Sequence, residues 1–230
     1  MCGRYVTEGI KVKAGRWEDR IDDLVKAGFD LRYNVAPTTN VPVWLAEGQA
    51  AMHWGLIPHW APEAKMTYPT FNARVESVAE KSSFRDPWRK GQRCLLPALG
   101  YYEWRDDGGM RQPYFIHRSD NELMAFAGLW ERWEKGGTEV FSCTILTGES
   151  QGPLKELHHR MPFMLEPEAA EAWLNGSKAD ADDVLAKPRL DAVAFHRVSS
   201  AVGNVRNNDP ILIEPAEVGW GDLWSQQQDS

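Results

Sequence analysis

The sequence predicts an α+β fold built mainly from antiparallel strands. Three observations carry that prediction: strand-like runs fill the middle of the chain, tight glycine-bearing turns join them at Asp106-Asp107-Gly108-Gly109 and Gly136-Gly137, and runs of helical spacing return only after this β-rich block. Hairpins of this kind impose antiparallel pairing, which a doubly wound sheet lacks. Along the chain, Trp17, Ile21, Leu24 and Val25 recur at helical spacing, with Gly28 as the stop. Asn34-Val35-Ala36-Pro37 reads as a loop, because Pro37 steers its predecessor away from helix. Residues 41–45 and 50–54 form a hairpin around Glu47-Gly48, and a loop carrying Pro58, Pro62 and Pro69 follows. The polar stretch 74–90 holds one or two short helices. The β-rich middle comprises 93–104, 113–118, 123–133 and 139–146. Helices return at 153–157, 167–174 (with Gly176 as cap) and 181–186, and 192–198 is the last strand before a polar loop.

No repeat, low-complexity tract or linker divides the 230 residues, which reads as a single domain over 1–230 with a flexible tail of about ten residues. A chain this long buries roughly 70% of its unfolded surface without help from disulfides or metal. The 43% hydrophobic and 26% charged residues exclude a disordered or collagen-like chain. Mean hydropathy is −0.49 and no apolar run approaches the ~20 residues of a membrane span. The start, Met1-Cys2-Gly3-Arg4-Tyr5, lacks an apolar signal core. Cys2, Cys94 and Cys143 are scattered without a Cys-x-x-Cys pair, which argues for a reducing, cytoplasmic setting. Twenty-six Lys and Arg against 33 Asp and Glu give −7, the opposite of the usual nucleic-acid footprint, although a local groove can still be positive. Trp, at 11, exceeds both Phe and Tyr. Most such rings fill cores, but exposed ones beside arginines offer stacking surfaces for unpaired bases.

Several residues have chemistry to offer. Removal of Met1 would leave Cys2 with two nucleophiles on adjacent carbons, an α-amine of pKa roughly 7.7–8.0 and a thiol of about 8.5. Cys94 and Cys143 sit in apolar strand-like stretches and read as core thiols. Asn72, in Phe71-Asn72-Ala73-Arg74-Val75-Glu76-Ser77, is either a site residue or a helix cap with Glu76 in the first turn. Glu103, in Tyr101-Tyr102-Glu103-Trp104, is either a carboxyl suited to proton transfer by its aromatic surroundings or a surface residue of an edge strand. His158 and His159 are adjacent and face different ways, so one of them enters a given site. His53, His59, His117 and His196 show no metal-ligand spacing, and no phosphate-loop or dinucleotide glycine pattern occurs. Neither a metal nor a cofactor is expected.

Taken in order, the blocks Met1-Cys2-Gly3-Arg4-Tyr5, Arg32-Tyr33-Asn34-Val35-Ala36-Pro37, Trp54-Gly55-Leu56-Ile57-Pro58-His59-Trp60, Asn72-Ala73-Arg74-Val75-Glu76, Tyr102-Glu103-Trp104, Ala127-Gly128-Leu129-Trp130, His158-His159-Arg160-Met161-Pro162 and Val202-Gly203-Asn204-Val205 resemble the SOS-response-associated peptidase (SRAP) family. Its members attach covalently to abasic sites in single-stranded DNA. The resemblance implies an α+β fold with a β-barrel-like core and a mature amino terminus at Cys2. It implies a catalytic set of Cys2, Asn72, Glu103 and His158, the histidine being the one two places before the arginine. DNA contacts implied with it are Arg4, Arg74 and Arg160 beside those positions, Arg85 and Arg89 nearby, Trp60 and Trp104 as stacking residues, and Asn34 and Thr147. The partner would be abasic single-stranded DNA, met by a monomer away from membranes. The activities would be crosslinking, strand cleavage and self-removal of Met1. Two rivals stand beside this reading. Amino-terminal-nucleophile glutamine amidotransferases also begin Met-Cys-Gly, but the downstream blocks count against them. A noncovalent single-strand-binding domain would make Cys2 incidental.

Overall fold

The structure, a computed structural model, describes residues 2–9, 17, 18, 20, 21, 24, 28–187 and 192–216. Its strands are β1 (Tyr5–Val6), β2 (Asn40–Trp44), β3 (Gln49–Trp54), β4 (Asn72–Arg74), β5 (Arg93–Ala98), β6 (Gly100–Asp107), β7 (Met110–Arg118), β8 (Met124–Lys135), β9 (Thr138–Glu149), β10 (Arg160–Pro162), β11 (Met164–Leu165) and β12 (Val193–Arg197). Its helices are α1 (Arg85–Lys90), α2 (Pro167–Asn175) and α3 (Lys178–Ala186). Two-residue turns set the long hairpins: Asp107 pairs with Met110 around Gly108 and Gly109 (φ +66° and +92°), and Lys135 pairs with Thr138 around Gly136 and Gly137 (φ +60° and +79°). Positive φ at both central residues gives the turn whose twist matches the flanking strands, and glycine adopts it without strain.

One sheet runs β1-β6-β7-β12. In the other, β9-β3-β2-β5-β8 closes into a ring because β8 also pairs with β9, while β4 and β10 lie along β9 and β11 along β8. The α+β, mainly antiparallel architecture is therefore as the sequence predicts. Two pairings depart from the hairpin pattern: β3 and β4 both run parallel to β9, reached by crossovers rather than turns.

The expected strand over 93–104 is in fact two, β5 and β6, assigned to different sheets. Between them the Leu99 N–H donates to the Val6 carbonyl (2.8 Å), and Gly100 begins the new strand. A Cβ at Gly100 would lie 2.4 Å from the Ile116 carbonyl oxygen and 2.5 Å from the Phe115 ring. Gly100→Ala is therefore expected to destabilise the chain by about 1–3 kcal/mol through overpacking. Urea unfolding should show a lower midpoint at unchanged slope.

Strand alternation turns β5 toward two of the apolar clusters of the core. Cys94, Leu96 and Ala98 of β5 face one, with Val41, Val43, Met52, Phe126, Ile145, Cys2 and Cys143. Leu95 faces the other, with Leu129, Trp44, Trp88 and Trp173. Trp17, Ile21 and Leu24 join this second cluster, Trp17 stacking on Trp44 at 5.3 Å, and Gly28 turns at φ +67°. Val25 and the tail from 217 onward lie outside the described residues. Pro167 opens α2, a Ser177–Asp180 capping box opens α3, and the 153–157 helix is a 3-10 turn over Gly152–Glu156. Among the described residues no helix is long and apolar enough to cross a membrane.

Candidate active site

The amino-terminal strand sets the site. Tyr5 pairs with Tyr101 and Val6 with Gly100, and the Tyr102 N–H donates to the Arg4 carbonyl (2.9 Å), so the antiparallel register carries residues 2–4 alongside 102–104. Glu103, 5% exposed, thereby comes near enough to Cys2 for its charge to act on the thiol. Cys2 is fully buried in the cluster around Tyr5 and Tyr101, and its Sγ lies 3.8 Å from the Arg4 carbonyl oxygen. Burial pushes the thiol pKa well above its ordinary value, and the Glu103 carboxylate pushes it further. Cys94 and Cys143 are equally buried, with thiols raised by the same cause.

Two strands flanking β9 bring the remaining members. β4 runs parallel to β9, and the Asn72 side-chain amide donates to the Cys2 carbonyl at 2.7 Å. Its other atom, Oδ1, is buried with no hydrogen-bond partner among the described residues. β10 follows His158, whose Nδ1 lies 2.9 Å from the Arg160 backbone nitrogen and 3.1 Å from its carbonyl oxygen. In the tautomer whose Nδ1–H donates to that carbonyl, Nε2 carries the lone pair that accepts a proton. His158 is half-buried and stacked on His159 at 4.3 Å; burial lowers its pKa, with Glu103 opposing. His159 is exposed. Cys2, Asn72, Glu103 and His158 are thus linked by one hydrogen bond and a shared electrostatic field.

The expected DNA contacts divide by burial. Arg74 projects from the end of β4, exposed and without an ion pair among the described residues. Arg85 and Arg89 are exposed on α1, at 3.9 and 3.1 Å from Asp86. Trp60 is 44% exposed, its Nε1–H donating to the Ser82 carbonyl (3.2 Å). Trp104 is half-buried against the cluster of Tyr102, Phe115 and Val198. The other four have protein partners, because a buried polar group left unpaired is costly. Arg4 donates to Asn34 Oδ1 (3.0 Å) and to the Val202 and Gly203 carbonyls (2.8 and 3.3 Å). Asn34, 2% exposed, donates to the carbonyls of Val202, Asn204 and Asn207. Thr147 is fully buried and donates to the Ala73 carbonyl (3.4 Å). Arg160, 8% exposed, grips the Glu76 carboxylate bidentately (2.7 and 2.9 Å) and reaches the Thr147 carbonyl (2.5 Å). That pairing holds Glu76 below the usual carboxylate range, so Glu76 does more than open a helix. His59, read as structural or exposed, is 3.2 Å from the buried Glu131 and 3.8 Å from Asp86. Tyr68, 46% exposed, had no local signal to separate it from a core aromatic.

Cys2, held through its carbonyl by Asn72 and sharing the field of Glu103 with His158, forms the candidate site on an α+β scaffold. Residues 1–205 match the family described as SOS response associated peptidase (SRAP), and the chain belongs to that family. It is 35% identical over 229 residues to the abasic site processing protein YoqW of Bacillus subtilis (strain 168), covering 93% of this chain and 99% of that one. To the abasic site processing protein HMCES of Gallus gallus it is 34% identical over 224 residues, covering 81% of this chain and 67% of that one. The crystal structure of a Bacteroides thetaiotaomicron protein superposes with a TM-score of 0.78 at 28% identity, over 94% of this chain and all of that one.

Proposed function

We propose that this chain processes abasic sites in single-stranded DNA by covalent attachment through Cys2, after Met1 has been removed, in part by the site itself. The carrying observation is the grip of Asn72 on Cys2: the amide N–H fixes the Cys2 carbonyl, and the buried Oδ1 is an acceptor with no donor among the described residues. An α-amine freed on Cys2 is a donor of the kind that Oδ1 lacks. The names of the relatives in B. subtilis and G. gallus support the same substrate.

The steps balance without a cofactor. The Cys2 amine adds to the aldehyde of the ring-opened sugar, and loss of one water leaves an imine. The Cys2 S–H then adds across the C=N bond: sulfur bonds the former aldehyde carbon, and a proton ends on nitrogen. The product is a five-membered thiazolidine. Burial keeps the thiol protonated until it reacts, so closure needs a proton acceptor, and Glu103 is the carboxylate that acts on that sulfur. An alternative fate of the imine is removal of a sugar proton and expulsion of the 3′ phosphate, which cleaves the strand. His158 is the base for that branch. The adduct should weigh protein plus oligonucleotide minus one water in an intact-mass measurement. A mixture showing only unmodified masses after exposure to abasic DNA overturns the covalent reading in favour of noncovalent binding.

Two expectations follow here. A base works in its neutral form, and burial lowers the His158 pKa, so the acid limb of strand cleavage should lie below pH 6.5. The His158 limb should thus lie apart from the limb set at higher pH by protonation of the Cys2 amine, and should fall only as pH drops through the folded His158 value. Single-turnover cleavage rates against pH measure this, and His158→Ala should remove the limb together with most of the cleavage, while His159→Ala tracks the unmodified chain. The second concerns Arg74 as a phosphate ligand. Arg74→Ala should weaken noncovalent binding and flatten the slope of log affinity against log salt by roughly 0.7. A titration at several salt concentrations with the same slope for both proteins would place Arg74 off the DNA path.

A further inference from the structure

Asn72 and His158 reach the site from opposite edges of β9. β4, which begins at Asn72, runs parallel to β9 with Arg74 opposite Thr147. β10 begins two residues after His158 and runs antiparallel to β9, with Arg160 opposite Glu149 and Pro162 opposite Thr147. A strand residue has one neighbour on each edge, so Thr147, paired with both Arg74 and Pro162, separates β4 from β10. The Arg160 side chain crosses that separation. Its Nη1 and Nη2 donate to the two carboxylate oxygens of Glu76 (2.7 and 2.9 Å), and Nη2 meets the Thr147 carbonyl (2.5 Å) on the way. Glu76 lies two residues beyond β4, in a 3-10 turn over Val75–Ser77. Arg160 is thus a brace from β10, across β9, to the segment that follows Asn72.

The two ends of the brace differ in burial. Arg160 is 8% exposed, and its Nε is buried without a hydrogen-bond partner among the described residues. A guanidinium this buried depends on its carboxylate: with Glu76 gone, the charge is unpaired and the side chain has to move. Glu76 is half-exposed, and the Arg160 fork keeps it ionised through the range in which the chemistry runs. None of the three residues in its turn is fully buried, so the core draws nothing from Glu76 itself. What Arg160 holds in turn is His158, whose Nδ1 lies against the Arg160 backbone nitrogen and carbonyl (2.9 and 3.1 Å). The groups of ring closure are fixed by other means. Glu103 lies within β6, the β1–β6 register places Cys2 beside it, and Asn72 sits in the ladder of β4 with β9. Losing the brace therefore displaces His158 before it displaces them.

We propose that Glu76 is a positioning residue for strand cleavage: by fixing Arg160 across β9, it holds His158 where it can take a proton from the sugar bound at Cys2. The proposal rests on the abasic-site reading above and names the residue that sets how the imine divides between cleavage and ring closure. In the cleavage branch the base removes a proton from the carbon beside the imine, a C=C bond forms, and the 3′ C–O bond breaks with its electrons on the phosphate. Such a transfer needs the base within hydrogen-bond reach of that proton. Ring closure makes no demand on His158.

The test uses the full chain and two strands. One carries a true abasic site and reports adduct and cleavage in single turnover; the other carries a tetrahydrofuran abasic analogue, which has no aldehyde and so reports binding alone. Glu76→Ala should slow cleavage by about 10²-fold, the cost of a misplacement near 1 Å. Adduct formation and affinity on the analogue strand should stay close to those of the unmodified chain. In the His158→Ala chain, Glu76→Ala should slow the residual cleavage no further, because a residue that acts through another adds nothing once that other is gone. A brace that only stabilises the fold would lower the unfolding midpoint and slow both branches together, with or without His158. Glu76→Gln keeps an acceptor for Arg160 but not the charge, so its cleavage rate should fall between the two; it also serves if Glu76→Ala does not fold. The proposal is overturned if both variants cleave like the unmodified chain, if both branches slow equally, or if the whole loss persists in the His158→Ala chain. Failure of the abasic-site reading is a separate result, seen as no adduct by the unmodified chain on a strand with a true abasic site.

Discussion

A chain that keeps Met1, or carries an added amino-terminal tag, should form no stable adduct with abasic DNA, whereas the chain beginning at Cys2 should be converted completely. With Met1 in place the Cys2 nitrogen is an amide, whose lone pair is delocalised into the carbonyl and does not attack an aldehyde. The thiol alone gives a hemithioacetal, which reverts readily. With the amine free, both nucleophiles act on one carbon, and ring closure draws on effective molarities of order 10⁵–10⁸ M when aligned. On this reading the Asn72 contact to the Cys2 carbonyl would supply that alignment. Cys2→Ala separates the two functions: it keeps the amine, so borohydride should trap an imine, but no adduct should survive without reduction. The check is gel mobility and intact mass with and without borohydride. A verified Met1-retaining chain that crosslinks fully would remove the basis of the mechanism.

Glu103→Gln should slow adduct formation by about 10²–10⁴-fold while changing noncovalent affinity little, the span expected when a positioned acid or base is lost. The sign of its electrostatic effect makes this informative. The Glu103 charge raises the Cys2 thiol pKa, so neutralising it by itself eases ionisation of the thiol and would favour reaction. A large fall in rate therefore isolates proton transfer, which an amide does not perform. Reversal of a formed thiazolidine should slow in parallel, because it passes through the same proton transfers. Single-turnover rates at saturating protein, with affinity measured on the analogue strand, separate the two effects.

Much of the fold was legible because its signals are local. Gly108-Gly109 and Gly136-Gly137 announce two-residue hairpins by backbone chemistry alone, and both stand where expected. The break at Leu99–Gly100 was not legible, since what demands glycine there is the Phe115 ring across the hairpin. The parallel pairing of β3 and β4 with β9 also escaped, because crossover partners leave no mark at either strand. The candidate site divides the same way. Cys2, Asn72, Glu103 and His158 came from ordered sequence blocks, and the structure connects them. An arginine's partner depends on what tertiary packing leaves unpaired, so the sequence did not show that Arg4, Asn34, Thr147 and Arg160, expected as DNA contacts, also bond protein groups. We read these four as the frame that holds β1, β4 and β10 together around Cys2, with Arg74 and Trp60 left to face the strand. Tyr68 shows the opposite failure, since nothing in a proline-rich segment distinguishes an exposed ring from a buried one.

The most direct test is fragmentation of the amino-terminal peptide from a crosslinked, nuclease-trimmed complex. The account predicts that the peptide begins at Cys2 and carries the sugar remnant minus one water on that residue alone. Both its nitrogen and its sulfur should resist alkylation, as atoms of one ring must. A remnant on a lysine, on Cys94 or Cys143, or on a peptide that still begins with Met1 would contradict it.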